Sequence, residues 1–123
     1  MTAEKSFKAR AGHGLNGSLR VPGDKSISHR SLMLGSIAHG TTRVRGLLMG
    51  EDVLATLGAM RGCGADILFD NGQVTIRGNG PAGLGDPDRP LDLGNSGTGM
   101  RLLSGLLAGL GLSATLTGDD SRR

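Results

Sequence analysis

Apolar residues recur at helical spacing in three stretches of the chain. The first stretch spans residues 26–39 and is followed by Gly40, a residue type that suits the position just after a helix. The second runs from about residue 50 to the glycine-rich residues 62–64, and the third spans about residues 96–110. The pattern therefore predicts three helices.

Between these stretches, the pattern alternates or is rich in β-branched residues. Residues 67–69 and 73–77 flank Asn71-Gly72, a dipeptide typical of a tight β-hairpin turn. The other predicted strands are residues 6–10, 18–22, 41–45, 91–93 and 113–117. Residues 78–90, rich in Gly, Pro and Asp, are a predicted loop. The order of these elements predicts a mixed α/β (α+β) fold with no linker that separates a second domain.

Composition narrows the class of protein. The chain has 123 residues with 23 Gly, no Trp or Tyr and two Phe, so its core depends on aliphatic side chains and close backbone packing. A net charge of +3 suits small anionic ligands. The basic residues are scattered and no aromatic residues lie among them, which argues against nucleic-acid binding.

The few cysteines and histidines give little chemistry. Cys63 is the single cysteine, which excludes an internal disulfide. Because the three histidines are dispersed along the chain, the sequence does not favour a structural zinc site. We find no signal peptide and no apolar run long enough for a membrane span. The expectation is a cytoplasmic protein without a membrane or nucleic-acid partner.

The first candidate site is the junction at residues 22–30, with the sequence PGDKSISHR. Ser26 stands where an N-cap is expected, and Lys25 and Arg30 add two cations beside the free N–H groups of a helix start. Such a start suits a phosphate group. A solvated basic turn before an ordinary surface helix explains the same residues, and the pattern alone does not separate the two interpretations.

The second candidate is the junction at residues 94–101, with the sequence GNSGTGMR. The absence of a side chain at Gly97 would let an anion approach the backbone at the start of the third helix. The alternative is an N-cap at Asn95 or Ser96 followed by glycines that serve packing alone.

Four other features do not predict a site. Residues 12–17 match the dinucleotide pattern G-x-G-x-x-G, but an extended segment follows instead of a helix. Asp24 interrupts a P-loop match. Glu51 and Asp52 are explained by the dipole of the second helix, and His29 has no acidic neighbour in sequence.

Taken together and in order, the motifs resemble the N-terminal part of the 5-enolpyruvylshikimate-3-phosphate synthase family. The motifs that carry the resemblance are residues 22–30, 38–42, 51–53, 78–80, 94–101 and 116–121. The sister family, the UDP-N-acetylglucosamine enolpyruvyl transferases, fits less well because it has an asparagine where Ser26 stands.

The resemblance implies a fold of two lobes, each made of three βαβαββ units arranged as an inside-out barrel. Residues 22–123 would then form part of the N-terminal lobe, with one complete unit and the start of a second. Residues 1–21 would form a strand pair that joins the other lobe. Because the family's chains are several times longer, we expect a truncated chain, one piece of a split enzyme, or part of a longer polypeptide.

The resemblance also implies an activity and roles for five residues. The family transfers the enolpyruvyl group of phosphoenolpyruvate to the 5-hydroxyl of shikimate 3-phosphate, without a metal or organic cofactor. Lys25 would be the catalytic residue that contacts both substrates, and Ser26 and Arg30 would hold shikimate 3-phosphate. Asn95 and the backbone of Gly97 would line the phosphoenolpyruvate site.

Two further expectations concern partners. The family's proton-transfer groups lie in the part of the enzyme that this chain does not contain, so a complementary C-terminal part is a candidate partner and the chain alone is expected to be inactive. The alternative is a phosphometabolite-binding or split-complementation module without catalysis of its own.

Overall fold

The computed structural model describes residues 4–119 and confirms the mixed α/β fold with three helices. The elements in chain order are α1 (Lys25–Ile37), β1 (His39–Arg45), α2 (Glu51–Gly62), β2 (Asp66–Asp70), β3 (Gln73–Asn79), a 3₁₀ turn (Pro81–Gly83), β4 (Leu91–Asp92), α3 (Gly97–Leu110) and β5 (Leu116–Thr117). Residues 1–3 of the predicted strand pair and residues 120–121 of the last motif lie outside the described residues.

The first sheet is antiparallel, in the order β1-β3-β2. The predicted hairpin joins β2 to β3, and its turn residues Asn71 and Gly72 both have positive φ, 49° and 76°, as such a turn requires. The second sheet is the parallel pair β4–β5, in which Leu91 stands opposite Leu116.

The three helices contact one another, and α1 lies across β3. Two glycines allow this close approach: a Cβ on Gly35 would lie 2.7 Å from Cδ1 of Ile76, and a Cβ on Gly78 would meet the carbonyl oxygens of Gly35 and Ala38. The core is aliphatic, as the composition predicts. Its most buried members include Leu32, Val53, Met60, Val74, Ile76, Leu93 and Leu103.

The first helix differs from its prediction at both ends. Its N-cap is Asp24, not Ser26, and the helix ends at Ile37 instead of residue 39. Gly40 has a φ of 94° but belongs to β1. The helix stops early because the carbonyl of Ala38 accepts a bond from the N–H of Gly80, which draws the chain directly into the sheet.

The two strands predicted at residues 6–10 and 18–22 do not form in this structure. Residues 4–24 form neither helix nor strand, and residues 4–20 are exposed throughout. A strand is stabilised by a hydrogen-bonded neighbour, and no strand of the described chain pairs with this segment. Residues 25–79 therefore follow the order αβαββ without a leading strand, and the strand predicted at 113–117 is reduced to its last two residues.

None of the helices within residues 4–119 combines the length and the apolar character that a bilayer span requires.

Candidate functional site at the helix starts

The start of α1 is held by two side chains near its first turn. The Asp24 carboxylate accepts a hydrogen bond from the N–H of Ile27 at 2.8 Å, which caps the helix. The Ser28 hydroxyl donates to the carbonyl of Asp24 at 2.6 Å and accepts from the N–H of Leu48 at 3.0 Å. These bonds tie the first turn, which includes Lys25, to the loop that leads into α2.

The start of α3 is capped by Ser96, one of the two residues predicted for this role. The Ser96 hydroxyl, which is buried, accepts from the N–H of Gly99 at 2.9 Å. The strand β4 leads into this start through Gly94, whose N–H donates to the carboxylate of Asp92 at 2.8 Å. The N–H groups of Gly97 and Thr98 belong to the first turn, where helix geometry provides no intrahelical acceptor.

The three helices begin at the same end of the molecule. Lys25 at the start of α1 forms a salt bridge with Asp52 at the start of α2, with 3.0 Å between Nζ and Oδ2. Both residues line a cavity of about 200 Å³ whose other wall is the start of α3. Its lining residues are Lys25, Asp52, Asn95, Ser96, Gly97, Thr98 and Arg101. Three helix starts therefore converge, and each carries partial positive charge.

The charges around this cavity favour an anion. The ammonium group of Lys25 and the guanidinium of Arg101 lie in its lining together with the three helix starts, against the single carboxylate of Asp52. A second cavity, of about 360 Å³, adjoins at Lys25, Asp52 and Asn95 and adds Glu51 to its lining. Positive groups of this kind can bind phosphate and carboxylate groups and stabilise negative charge that develops during a reaction.

Asp52 is ionised in this site. Its burial raises the pKa of the carboxyl group, but the hydrogen bond and charge of Lys25 and the N–H of Val53 outweigh that effect and leave the pKa below its ordinary value. The carboxylate is 21% exposed and Lys25 is 57% exposed, so the pair lies at the surface and the ammonium group stays accessible to a ligand.

The structure brings together three of the five predicted site residues. Lys25, Asn95 and Gly97 line the same cavity. Ser26 follows Lys25 directly and Arg30 lies one turn after Ser26 on α1, but neither residue lines the cavity. Their predicted contacts with a ligand stay predictions.

Four residues that line this cavity are outside the predicted site set, namely Asp52, Ser96, Thr98 and Arg101, and two of these, Asp52 and Arg101, are charged. The sequence interpretation explained Asp52 by the dipole of α2 alone. An acidic residue at a third helix start, in a chain with two other helix starts that carry basic residues, was the signal that could have identified it. Arg101 belongs to the second motif and follows Gly97 by four residues, one helical turn. Among residues 4–119, no group of three or more His, Cys, Asp or Glu side chains is arranged to hold a metal ion.

Several known proteins are similar to this chain in sequence. A 3-phosphoshikimate 1-carboxyvinyltransferase from Alkalilimnicola ehrlichii is 60% identical over 116 residues, which are 94% of this chain and 26% of that protein. The enzyme of the same name from Lactococcus lactis subsp. cremoris is 57% identical over 108 residues, which are 88% of this chain and 25% of that protein.

A solved structure agrees with these relatives. The EPSP synthase from Acinetobacter baumannii matches with a TM-score of 0.79 and 55% identity, covering 87% of this chain and 25% of that one. The chain thus spans about a quarter of the length of the relatives it matches. The sequence profile of the EPSP synthase (3-phosphoshikimate 1-carboxyvinyltransferase) family matches residues 9–123, and the chain belongs to that family.

Proposed function

We propose that this chain supplies part of the substrate site of an enzyme that transfers the enolpyruvyl group of phosphoenolpyruvate to the 5-hydroxyl of shikimate 3-phosphate. The observation that carries the proposal is that Lys25 and the start of α3 line one cavity, in a chain that belongs to the EPSP synthase family. Because the relatives are about four times as long, the activity is proposed for the complete protein that carries this sequence.

Lys25 is the catalytic residue of the proposal. Its ammonium group lies between the starts of α1, α2 and α3, where it can contact anionic groups on two ligands at once. Phosphoenolpyruvate and shikimate 3-phosphate both carry phosphate and carboxylate groups, and a lysine supplies a point charge with three donors to such groups. Negative charge that develops during transfer is stabilised in the same place.

The phosphoenolpyruvate subsite is assigned to the start of α3. Asn95 and Gly97 line the cavity there, and the first-turn N–H groups provide donors at the positive end of a helix. Shikimate 3-phosphate is assigned to the neighbouring surface of α1, where Ser26 is partly buried and Arg30 is exposed.

The remaining expectations belong to the same proposal. Residues 1–21 would supply a strand pair to the other lobe, where the segments at 6–10 and 18–22 would find the hydrogen-bonded neighbours that they lack here. Phe7, Leu15 and Leu19, apolar side chains more than four-fifths exposed, would then be covered. The complementary C-terminal part is the proposed partner, and the cytoplasm is the proposed location.

The test uses the complete protein that carries this sequence, supplied with both substrates and assayed for release of the phosphate of phosphoenolpyruvate. We expect Lys25→Ala to lower kcat by about 100-fold or more, the loss that follows removal of one group that stabilises developing charge. The matched control is Arg43→Ala, which removes one positive charge from an exposed strand position away from the cavity. It should stay within about twofold of the wild type, since exposed substitutions away from a site have small effects.

Two outcomes would contradict the proposal. One is that the complete Lys25→Ala variant turns over both substrates as fast as the complete wild-type protein does. The other is turnover by the 123-residue chain alone. A wild-type protein that binds both ligands without turnover would favour the alternative, a phosphometabolite-binding module.

A further inference from the structure

A second, buried polar layer lies one helical turn below the cavity. His29 follows Lys25 by four residues on α1, and Thr56 follows Asp52 by four residues on α2, so each buried residue lies beneath a residue of the site. Both side chains are fully buried, and Nδ1 of His29 lies 2.7 Å from Oγ1 of Thr56, within hydrogen-bond distance. The salt bridge at the surface therefore has a buried hydrogen bond under it.

The third helix meets this layer at Gly99. A Cβ on Gly99 would lie 2.8 Å from Oγ1 of Thr56 and 2.6 Å from Oγ of Ser96, so both hydroxyls lie against its Cα. Ser96 also caps α3 and lines the cavity. Thr56 on α2 thus reaches His29 of α1 through a hydrogen bond and the backbone of Gly99 on α3 through close packing, directly beneath the point where the three helices start.

His29 has one partner for two ring nitrogens. Its Nε2 is buried and has no hydrogen-bond partner among the described residues. A charged imidazolium donates from both nitrogens, and an unpaired buried donor is costly, so the ring is neutral. Burial lowers the pKa of His29. The carboxylate of Asp52 opposes this effect, and the charges of Lys25 and Arg30 add to it.

Helix packing alone does not require this bond. An apolar pair of similar volume would pack α1 against α2 without the desolvation of two polar groups. A hydrogen bond differs from apolar contact in its directionality, because it fixes the rotation and the axial position of one helix relative to the other. One turn above, that rotation sets where Lys25 and Asp52 project.

We propose that His29 is a positioning residue of the anion site: its bond to Thr56 sets the register of α1 against α2 and so places Lys25 beside Asp52 at the start of α3. The proposal rests on the proposed function for the identity of the ligand. The geometric part of the proposal, which is the register of α1 against α2 and the position of Lys25, depends only on residues of this chain.

The kinetic test uses three variants of the complete protein, with the KM for phosphoenolpyruvate as the readout. Thr56→Val and His29→Leu remove the same bond from opposite sides. Each should raise this KM about fivefold, which corresponds to a loss of about 1 kcal/mol in binding free energy. The double variant should raise it no further than either single one, because both changes delete one interaction. Thr56→Ser keeps the hydroxyl and should stay within about twofold of the wild type, as a conservative rescue.

A second readout does not require activity. The carboxyl pKa of Asp52, followed by NMR, should rise toward its ordinary value in Thr56→Val and in His29→Leu, because the Lys25 ammonium group that lowers it would no longer be held beside it. If the wild type lacks transferase activity, the proposed function fails while this measurement still decides the positioning role.

Two results would overturn the positioning role. In the first, Thr56→Val and His29→Leu lower the melting temperature but leave both the KM and the Asp52 pKa at their wild-type values. In the second, the effects of the two single variants add in the double variant, which would mean that the side chains act independently. If either single variant fails to fold, the other still gives the KM and the Asp52 pKa.

Discussion

Asp52 on α2 holds the ammonium group of Lys25 on α1 at a distance of 3.0 Å, at the place where α3 begins. Because Lys25 is more than half exposed, solvent screens the pair, and its contribution to stability is at most about 1 kcal/mol. The main consequence of the pair is therefore orientation: Asp52 directs the lysine toward the cavity without burying its charge. A ligand that carries negative charge can compete for the same ammonium group.

The first prediction concerns acid stability and the variant Asp52→Asn. The pKa of Asp52 is lower in the folded protein than its ordinary 3.8, so the unfolded chain binds more protons between those two values. The stabilisation from the pair is therefore fully present above pH 3.8 and is lost as the pH falls through the folded-state pKa. Urea unfolding should show the wild type more stable than Asp52→Asn at pH 6, with the difference shrinking below pH 3.8.

The control for this experiment is Glu51→Gln, which removes the neighbouring carboxylate and leaves the Lys25–Asp52 pair in place. It should retain the acid-dependent loss. A difference between wild type and Asp52→Asn that does not change with pH would contradict the prediction.

The second prediction concerns the cap of α3. Ser96→Ala removes the acceptor for the N–H of Gly99 and should lower the free energy of unfolding by about 1 kcal/mol. Ser104→Ala is the matched control on the same helix. Its exposed hydroxyl donates only to the carbonyl of Met100, so its removal should change stability by less than about 0.5 kcal/mol. Equal losses in the two variants would show that Ser96 does not act as a cap.

The third prediction concerns the close approach of α1 to β3. Gly78→Ala places a methyl group against the carbonyl oxygens of Gly35 and Ala38, which are backbone atoms that cannot rotate away. We expect a loss of about 2 kcal/mol or more in the free energy of unfolding. Gly58→Ala, in the middle of α2, meets no atom within 4 Å and should stabilise the protein by about 0.5–1 kcal/mol. A Gly78→Ala variant as stable as the wild type would contradict this packing.

Local signals were sufficient to predict much of this fold. The turn at Asn71-Gly72 depends on the φ angles of two adjacent residues, and the ends of α2 and α3 depend on caps and glycines within a few positions. Local chemistry was ambiguous at the start of α1, because Asp24 and Ser26 are both good N-caps two residues apart. The choice of Asp24 accompanies a non-local contact, the bond between Ser28 and Leu48.

The part of the site that the sequence did not predict depends on how separate helices are rotated against each other. Lys25–Asp52 and His29–Thr56 join α1 to α2 across the same long separation in sequence, and helical periodicity gives no information about which faces meet. The segments at 6–10 and 18–22 are not strands in this structure for a related reason: alternation can indicate a strand, but the strand forms only where a second strand lies beside it.

The most direct test of the account is a crystal structure of the complete protein with shikimate 3-phosphate and phosphoenolpyruvate, or a non-reacting analogue of it, bound together. The account predicts Nζ of Lys25 at about 2.7–2.9 Å from an oxygen of each ligand, with the start of α3 at Gly97 in contact with the phosphoenolpyruvate group. Ligands bound elsewhere, with Lys25 still paired to Asp52 alone, would contradict it.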